Sequence, residues 1–462
     1  MNRTPDEIVV TELLQRVAGY ARTEPAQRRE PMVSDDRRRP RRMWSAGLAA
    51  AVAVAVVLAG MSLLGGDGTT RPVDTSGQLA RLPGGTTERL AGSGLLGRTG
   101  AASVWTGSEL LVWGGLHFDG KDNRWLADGA ALDPVANRWR PLPPAPIGPR
   151  SVAAAVWTGK EMLVWGGNHL GRDLLTDGAA YDPRTDRWRS MAPQPFGGAA
   201  RSAAVWTGRE MLVVSSWNGL KATAYNPSTD QWRQVADPPG APLMPYPEAV
   251  WTGTELVMVM WPSGAAGTAL GSSSPPTGPT VEPPAVASSV PPTPRESPPP
   301  LPPPVPSMGG PNSRMYVAAY SPAADRWTRL PAVDMKDGTL PRIVWTGREV
   351  LVVQALGGAA LDPSKGTWRP LPPLPTSGAE VRSVPAVWTG RYVLLWSGGD
   401  DGFAFDPAAD AWWRFDAGGL ERRNDPVVAW ADRLLVAWSG FYDTDRSGSR
   451  LASDGIRYLP PE

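Results

Sequence analysis

Ala153-Ala154-Ala155-Val156-Trp157-Thr158-Gly159-Lys160-Glu161-Met162-Leu163-Val164-Trp165-Gly166-Gly167 holds two short apolar runs joined by a Thr-Gly turn and closed by a diglycine. β-Branched and aromatic residues on either side of a glycine turn predict a hairpin. A third run, Gly178-Ala179-Ala180-Tyr181, ends at Asp182-Pro183. Six residues beyond that aspartate, Trp188 opens a fourth run, Arg187-Trp188-Arg189. The Val-Trp-Thr-Gly core recurs at Trp105, Trp157, Trp206, Trp251, Trp345 and Trp388, and in degenerate form as Ala429-Trp430-Ala431-Asp432. The spacing is 42–52 residues apart from one gap of 94, which holds a 51-residue proline-rich insertion over 262–312. Seven copies of a four-strand unit at this period predict an all-β, seven-bladed β-propeller of four-stranded antiparallel blades over residues 98–462.

Composition agrees and narrows the function. The chain has 462 residues, net charge +1, no cysteine, two histidines and 22 tryptophans. Near-neutral charge argues against a general nucleic-acid binder, which needs a basic face. Without cysteine there are no disulfides, thiolate metal sites or cysteine nucleophiles. Seven tryptophans end first strands, six (Trp139, Trp188, Trp232, Trp327, Trp368, Trp412) start fourth strands, and four (Trp113, Trp165, Trp396, Trp438) end second strands. At fixed places in each unit, such rings are expected to fill the wedges between blades. That leaves Trp125 and Trp217, with Trp261 and Trp413 behind them, as rings for recognition.

Residues 44–66 carry no charge until Asp67, and five arginines (Arg37, Arg38, Arg39, Arg41, Arg42) precede them. About 20 apolar residues span a bilayer, and the basic flank belongs on the cytoplasmic side. This reads as one transmembrane helix in the plasma membrane, with residues 1–43 cytoplasmic and the propeller outside; a cleaved secretory signal is the rival reading. A Thr4-x-x-Glu7 capping box opens an amphipathic helix over residues 4–20, which would dock a cytoplasmic partner or lie on lipid. Residues 67–97 form a linker that is a candidate to contribute a closing strand. Gln78–Pro83 and Ile456–Pro460 both resemble fourth strands, so either is a candidate to close the ring from the opposite terminus. The insertion, with 17 prolines, predicts an extended, disordered loop. Arginine outnumbers lysine 41 to 5, with much Ala, Gly and Pro, as in a GC-rich bacterial genome.

Second strands ending in Gly114-Gly115, Gly166-Gly167 and Gly398-Gly399, and the Tyr181-Asp182-Pro183-…-Trp188 stretch, resemble the Kelch family. Units 3, 4 and 5 depart from the diglycine. The resemblance implies the propeller fold. It also brings to mind the galactose-oxidase type of propeller, whose copper-radical site needs a cysteine cross-linked to a tyrosine; that cofactor cannot form here, and no cofactor is expected.

In a propeller the first–second and third–fourth turns share one face, and the second–third loops and inter-blade links share the other. The first face is nearly constant in this sequence, whereas the second varies, and function concentrates in variable loops on a rigid scaffold. Three features lie there. His117 and His169 follow the diglycines of units 1 and 2; a metal would need Asp119 or Asp173 as well, and simple inheritance of neighbouring repeats assigns none. Phe118, Trp125, Trp217 and Phe441 are offered to a protein or a glycan, or are tucked onto their own blades. Arg98, Arg150, Arg201, Arg342, Arg382 and Arg423 precede or open the first strands, with Glu248 in unit 4. They either ring the channel mouth and draw an anion or acidic peptide, or pair with carboxylates and carbonyls of neighbouring blades. No catalytic constellation appears, so the expected function is an extracytoplasmic protein- or glycan-binding module and not an enzyme, the alternative being a carbohydrate-active enzyme on the same scaffold.

Overall fold

The computed structural model describes residues 79–82, 84–118, 123–169, 173–198, 202–215, 220–240, 247–260, 314–333, 341–354, 357–374, 385–396, 399–442 and 450–461. The transmembrane segment 44–66, the helix over 4–20 and the insertion 262–312 lie outside these residues. No helix long and apolar enough to cross a membrane occurs among the described residues.

Seven four-stranded antiparallel sheets follow one another. Blade 2 is typical, with Ala154–Trp157 innermost, then Met162–Trp165, Gly178–Asp182 and Arg187–Met191 at the rim. The six blades beginning at Ala102, Ala154, Ala203, Pro247, Arg342 and Ala386 each take their four strands in chain order from one stretch of sequence. The seventh is composite. Its first three strands are Val427–Ala431, Leu434–Trp438 and Gly455–Leu459, and its rim strand is Thr86–Arg89 from the other end of the chain. Thr86 pairs with Leu459 and Arg89 with Ile456. The ring is therefore closed from within residues 67–97, but by neither of the two fourth-strand-like segments singled out in the sequence. Ile456–Leu459 supplies a third strand, and Leu79–Leu82 runs instead along the rim of blade 6. There Arg414 donates its amide to Ala80 O and accepts from Leu82 N at 2.7 Å.

The core is divided seam by seam. Seven apolar clusters each join two adjacent blades: Val104, Leu111 and Trp113 of blade 1 pack with Met162, Val164 and Tyr181 of blade 2, and so on round the ring. Each inner-strand tryptophan packs into the seam with the preceding blade; Trp157, for example, joins the blade 1–2 cluster. The second-strand rings Trp113, Trp165, Trp396 and Trp438 are almost wholly buried. Burying indoles of ~150–250 Å² at these wedges is the main apolar stabilisation.

A hydrogen bond at each seam keeps the register. The Trp188 indole donates to Pro143 O (3.0 Å), Trp232 to Ala192 O (2.8 Å), Trp327 to Ala236 O (2.6 Å), Trp368 to Pro331 O (2.8 Å) and Trp412 to Pro372 O (2.9 Å). Every acceptor lies four residues past the preceding blade's own rim-strand tryptophan. Trp139 donates to Ala91 O (3.1 Å), four residues past Thr87, and the Thr87 hydroxyl donates to Asp416 O (2.7 Å), four past Trp412. Thr87 thus takes the seventh tryptophan's place, and the rule holds at all seven seams.

The constant face is constant for structural reasons. Its Thr-Gly-x-Glu turns place glycine at positive φ, as in Gly159 (φ 89°), while the Thr158 hydroxyl accepts from the Glu161 amide at 2.8 Å. The glutamate then holds the arginine after the rim tryptophan in a two-pronged pair: Glu109–Arg140, Glu161–Arg189, Glu210–Arg233 and Glu349–Arg369. Arg140 reaches on to the next blade's Tyr181 hydroxyl and Asp186, and Arg369 to Asp410.

These pairs set the pH range of the fold. The Arg369 guanidinium holds Glu349 below its ordinary value, Arg150 does the same for Asp177, and the Tyr320 hydroxyl does so for Asp325. Carboxylates depressed in the folded state stabilise it above their unfolded pKa near 4, and that stability is lost as pH falls through the depressed values. Tyr181, Tyr225 and Tyr320 are pushed up to about 12, first by burial and then by donating to Asp186, Asp230 and Asp325. Their contribution is complete below about 10 and is lost as pH rises through 12. Thermal midpoints are expected to be flat across pH 6–9 and to fall on both sides, below about 4 and above about 10. A steady slope across the neutral range in a pH-resolved melting series would contradict this.

Candidate functional site

On the variable face, three neighbouring blades carry short ribbons above their sheets. Leu116–Phe118 pairs with Asn123–Trp125 on blade 1, Asn168–His169 with Asp173–Leu174 on blade 2, and Arg423–Asn424 with Phe441–Tyr442 on blade 7. The ribbons lean on one another. Phe118 meets Phe441 at 6.4 Å between ring centroids, and Trp125 meets His169 edge-on at 5.6 Å. Leu116, Phe118, Trp125 and Phe441, with Leu451 against them, form an eighth apolar cluster. The result is one continuous relief over blades 7, 1 and 2.

Three of the four expected loop aromatics are therefore not exposed. Phe118 and Phe441 are 3% exposed and Trp125 is 9%. They are buried against the loops of the next blades, a third possibility beside free display and tucking onto their own blade. His117 bonds Gly97 O through Nδ1 at 2.7 Å, and His169 is occupied by Trp125, so the two histidines shape the relief separately. Among the described residues no three His, Asp or Glu side chains group as metal ligands. Trp413 packs in the blade 6–7 seam. Trp217, Trp261, Arg201 and Arg382 lie outside the described residues. Arg124 is exposed on the relief, and Leu96 and Phe196 are exposed apolar side chains in links between blades.

The arginines divide by register. Arg98, Arg150 and Arg423 stand seven residues before their inner-strand tryptophans and are 1–2% exposed. Arg150 donates to Gly166 O (3.1 Å), to Asp177 O (3.2 Å) and to both carboxylate oxygens of Asp177 (2.8 and 2.9 Å). Arg98 repeats this with Gly114 and Asp128, whereas Arg423 bonds Ser439 O, Asp454 O and a single Asp454 carboxylate oxygen, its Nη2 being left without a partner among the described residues. Their side chains tie together the second and third strands of their own blade. Two of the backbones reach the preceding blade, since Gly115 N donates to Arg150 O (2.8 Å) and Arg98 N to the Ser439 hydroxyl (2.8 Å), while the Arg423 guanidinium lies 5.9 Å from the centre of the Trp396 ring of blade 6. Burial lowers the pKa of the Arg98 guanidinium, while Asp128 pulls it back up. These three arginines are stitches between blades and do not ring an open mouth. Arg342 differs, since it opens the blade 5 inner strand and pairs with Glu248 of blade 4 at 2.8 Å.

The diglycine belongs to the same stitch. Its first residue turns a carbonyl toward the arginine at positive φ (Gly114 70°, Gly166 68°, Ser439 62°). Its second lies against the linker backbone, where a β-carbon on Gly167 would come 2.6 Å from Ser151 O. Sequence reasoning missed the partners Asp128, Asp177 and Asp454. A readable signal existed, because each forms an Asp-Gly that opens the third strand of a unit whose arginine stands at minus seven.

Two residues after each stitch the chain is left-handed: Gly100 (φ 62°), Val152 (φ 49°) and Asp425 (φ 50°). Val152 N bonds Gly100 O at 2.7 Å, and Gly100 N bonds the Asp425 carboxylate at 2.9 Å, which continues the tie from blade 7 to blade 2. A β-branched residue is strained there. Val152→Gly is expected to raise stability by roughly 0.5–1 kcal/mol after the extra chain entropy of glycine; a lower midpoint in urea unfolding would contradict the strain assignment.

The chain matches no protein-family model and no curated protein.

Proposed function

We propose that the chain is a binding module, a Kelch-like propeller that presents the relief over blades 7, 1 and 2 to an extracytoplasmic protein or glycan. Residues 44–66 would tether it to the plasma membrane, and residues 4–20 would relay to a cytoplasmic partner. The observation that carries the reading is the packing of three successive variable loops into one surface on a stitched base. Phe118, Trp125 and Phe441 fix the shape of that surface from beneath, and His117, His169 and Arg124 form its polar skin. The loop that holds Trp217 belongs to the next blade round the ring, so Trp217 is proposed as its continuation. Buried stitches such as Arg98, Arg150 and Arg423 keep the base rigid, which lowers the ordering cost of recognition.

The opposite face spends its charged groups on Glu–Arg pairs within blades and on contacts to the next blade. A photo-crosslinking residue at position 124 of the full chain, in the cells that make it, is expected to capture a protein or glycan. The same residue at position 348, in a Thr-Gly turn of the opposite face, is expected to capture none. Capture from 348 alone would overturn the proposal.

A further inference from the structure

The blade 6–7 seam carries a second candidate, independent of the relief. In blades 2, 3 and 4 the third-strand tyrosine hydroxyl donates to the aspartate of the following turn: Tyr181 to Asp186, Tyr225 to Asp230 and Tyr320 to Asp325, at 2.5–2.6 Å. Tyr458 holds the same place in blade 7, paired with Thr87 as Tyr181 is with Trp188. No turn follows it into the rim strand, because that strand comes from the other end of the chain. Its hydroxyl is buried without a hydrogen-bond partner, on a residue 1% exposed. The same seam lacks the rim indole that the other six possess.

A cleft of about 500 Å³ opens there, lined among others by Arg81, Gly84, Gly85, Asp400, Asp416 and Tyr458. That volume lies within the ~300–1,000 Å³ of small-molecule sites. Arg81 is held by Asp401 at 2.6 Å, and one Asp416 oxygen accepts from Gly418 N at 2.8 Å. Two carboxylates beside one guanidinium that is already paired disfavour an anion. A cation offers donors to Asp400 and Asp416 but no acceptor to the Tyr458 hydroxyl. A sugar hydroxyl is both donor and acceptor and can serve all of them at once.

We infer that this cleft is a binding site for a neutral saccharide, about one ring in size, held between the Asp400 and Asp416 carboxylates, Arg81 and the Tyr458 hydroxyl. A ligand of that size bound mainly by hydrogen bonds is expected to have a dissociation constant on the order of 1 mM.

The test is saturation-transfer NMR and calorimetry on the full chain with a panel of neutral methyl glycosides. At least one is expected to bind. Asp400→Asn, an exposed change that leaves the fold alone, is expected to weaken it about tenfold, and Tyr458→Phe by a similar factor with no loss of thermal midpoint. Arg124→Ala, on the blade 1 ribbon, is expected to leave it unchanged, which separates this site from the relief. Binding that ignores both Asp400→Asn and Tyr458→Phe, or no binding by any glycoside up to about 50 mM, would overturn the assignment and leave the cleft as a water-filled gap.

Discussion

Deleting residues 84–91 is expected to abolish cooperative unfolding of the propeller. The deletion removes the whole rim strand of blade 7, so the four-residue ladder with Ile456–Leu459 is lost and Tyr458 is uncovered. It also strips blade 1 of its partners. Trp139 loses Ala91 O, and Asn137 loses both the Ala91 amide and Arg89 O. Arg457 loses its pairing with Glu88. These bonds are solvent-exposed and worth about 0.5–1.5 kcal/mol each, but added to the lost ladder and the uncovering of buried Ile456 and Tyr458 they reach the ~5–15 kcal/mol by which a domain is stable. The point change Thr87→Val removes only the hydroxyl bond to Asp416 O, so it should cost only about 1 kcal/mol and keep a single transition. Urea unfolding followed by tryptophan fluorescence distinguishes them. A deleted chain that melts within about 1 kcal/mol of the intact one would show that the ring is not closed here.

The second large effect falls on the stitches. Arg150→Met is expected to cost about 3 kcal/mol, because it strands Gly166 O and Asp177 O inside the blade and frees an aspartate selected to face a guanidinium. Asp177 is half exposed, so its own carboxylate can rehydrate, which keeps the figure at the lower end for a broken buried pair. Arg150→Lys should not rescue. Five acceptors, Gly148 O among them, are met by the planar guanidinium, and an ammonium group cannot reach them from one point. Arg184 makes a useful contrast, since its side chain is largely exposed and Asp182 keeps the bond from the Arg184 amide, so Arg184→Ala should change stability by less than about 1 kcal/mol. Equal effects of Arg150→Met and Arg184→Ala in parallel chemical denaturation would refute the stitch.

How much of this was legible in the sequence depends on where the contacts run. Strand count, blade count and the wedge role of the tryptophans could be read because each is repeated within a unit at fixed spacing. The closing strand could not. Thr86-Thr87-Glu88-Arg89 has no tryptophan and no Asp-Pro turn before it, only Gly84-Gly85, and its identity rests on a ladder with Ile456–Leu459 at the other end of the chain. The partners that bury Phe118, Trp125 and Phe441 escape the sequence for a related reason. Phe118 is buried by Phe441 of another blade, and periodicity within a unit carries no information about such a partner. The arginines fell between. Six were grouped as one feature, yet only those at minus seven with a following Asp-Gly are stitches; Arg342, three residues before its tryptophan, faces Glu248 instead.

Closure by the N-terminal strand is the claim on which the rest stands, since it fixes the seventh blade, the cleft beside it and the contiguity of blades 7, 1 and 2. The chain contains no cysteine, so a Thr86→Cys, Leu459→Cys variant has one possible disulfide, between residues paired in the ladder. Mild oxidation of the folded protein, read by non-reducing gel shift and thiol titration, is expected to give near-complete cross-linking and a higher unfolding midpoint than the reduced form. Two thiols that stay free and freely reactive in the folded protein would contradict the account.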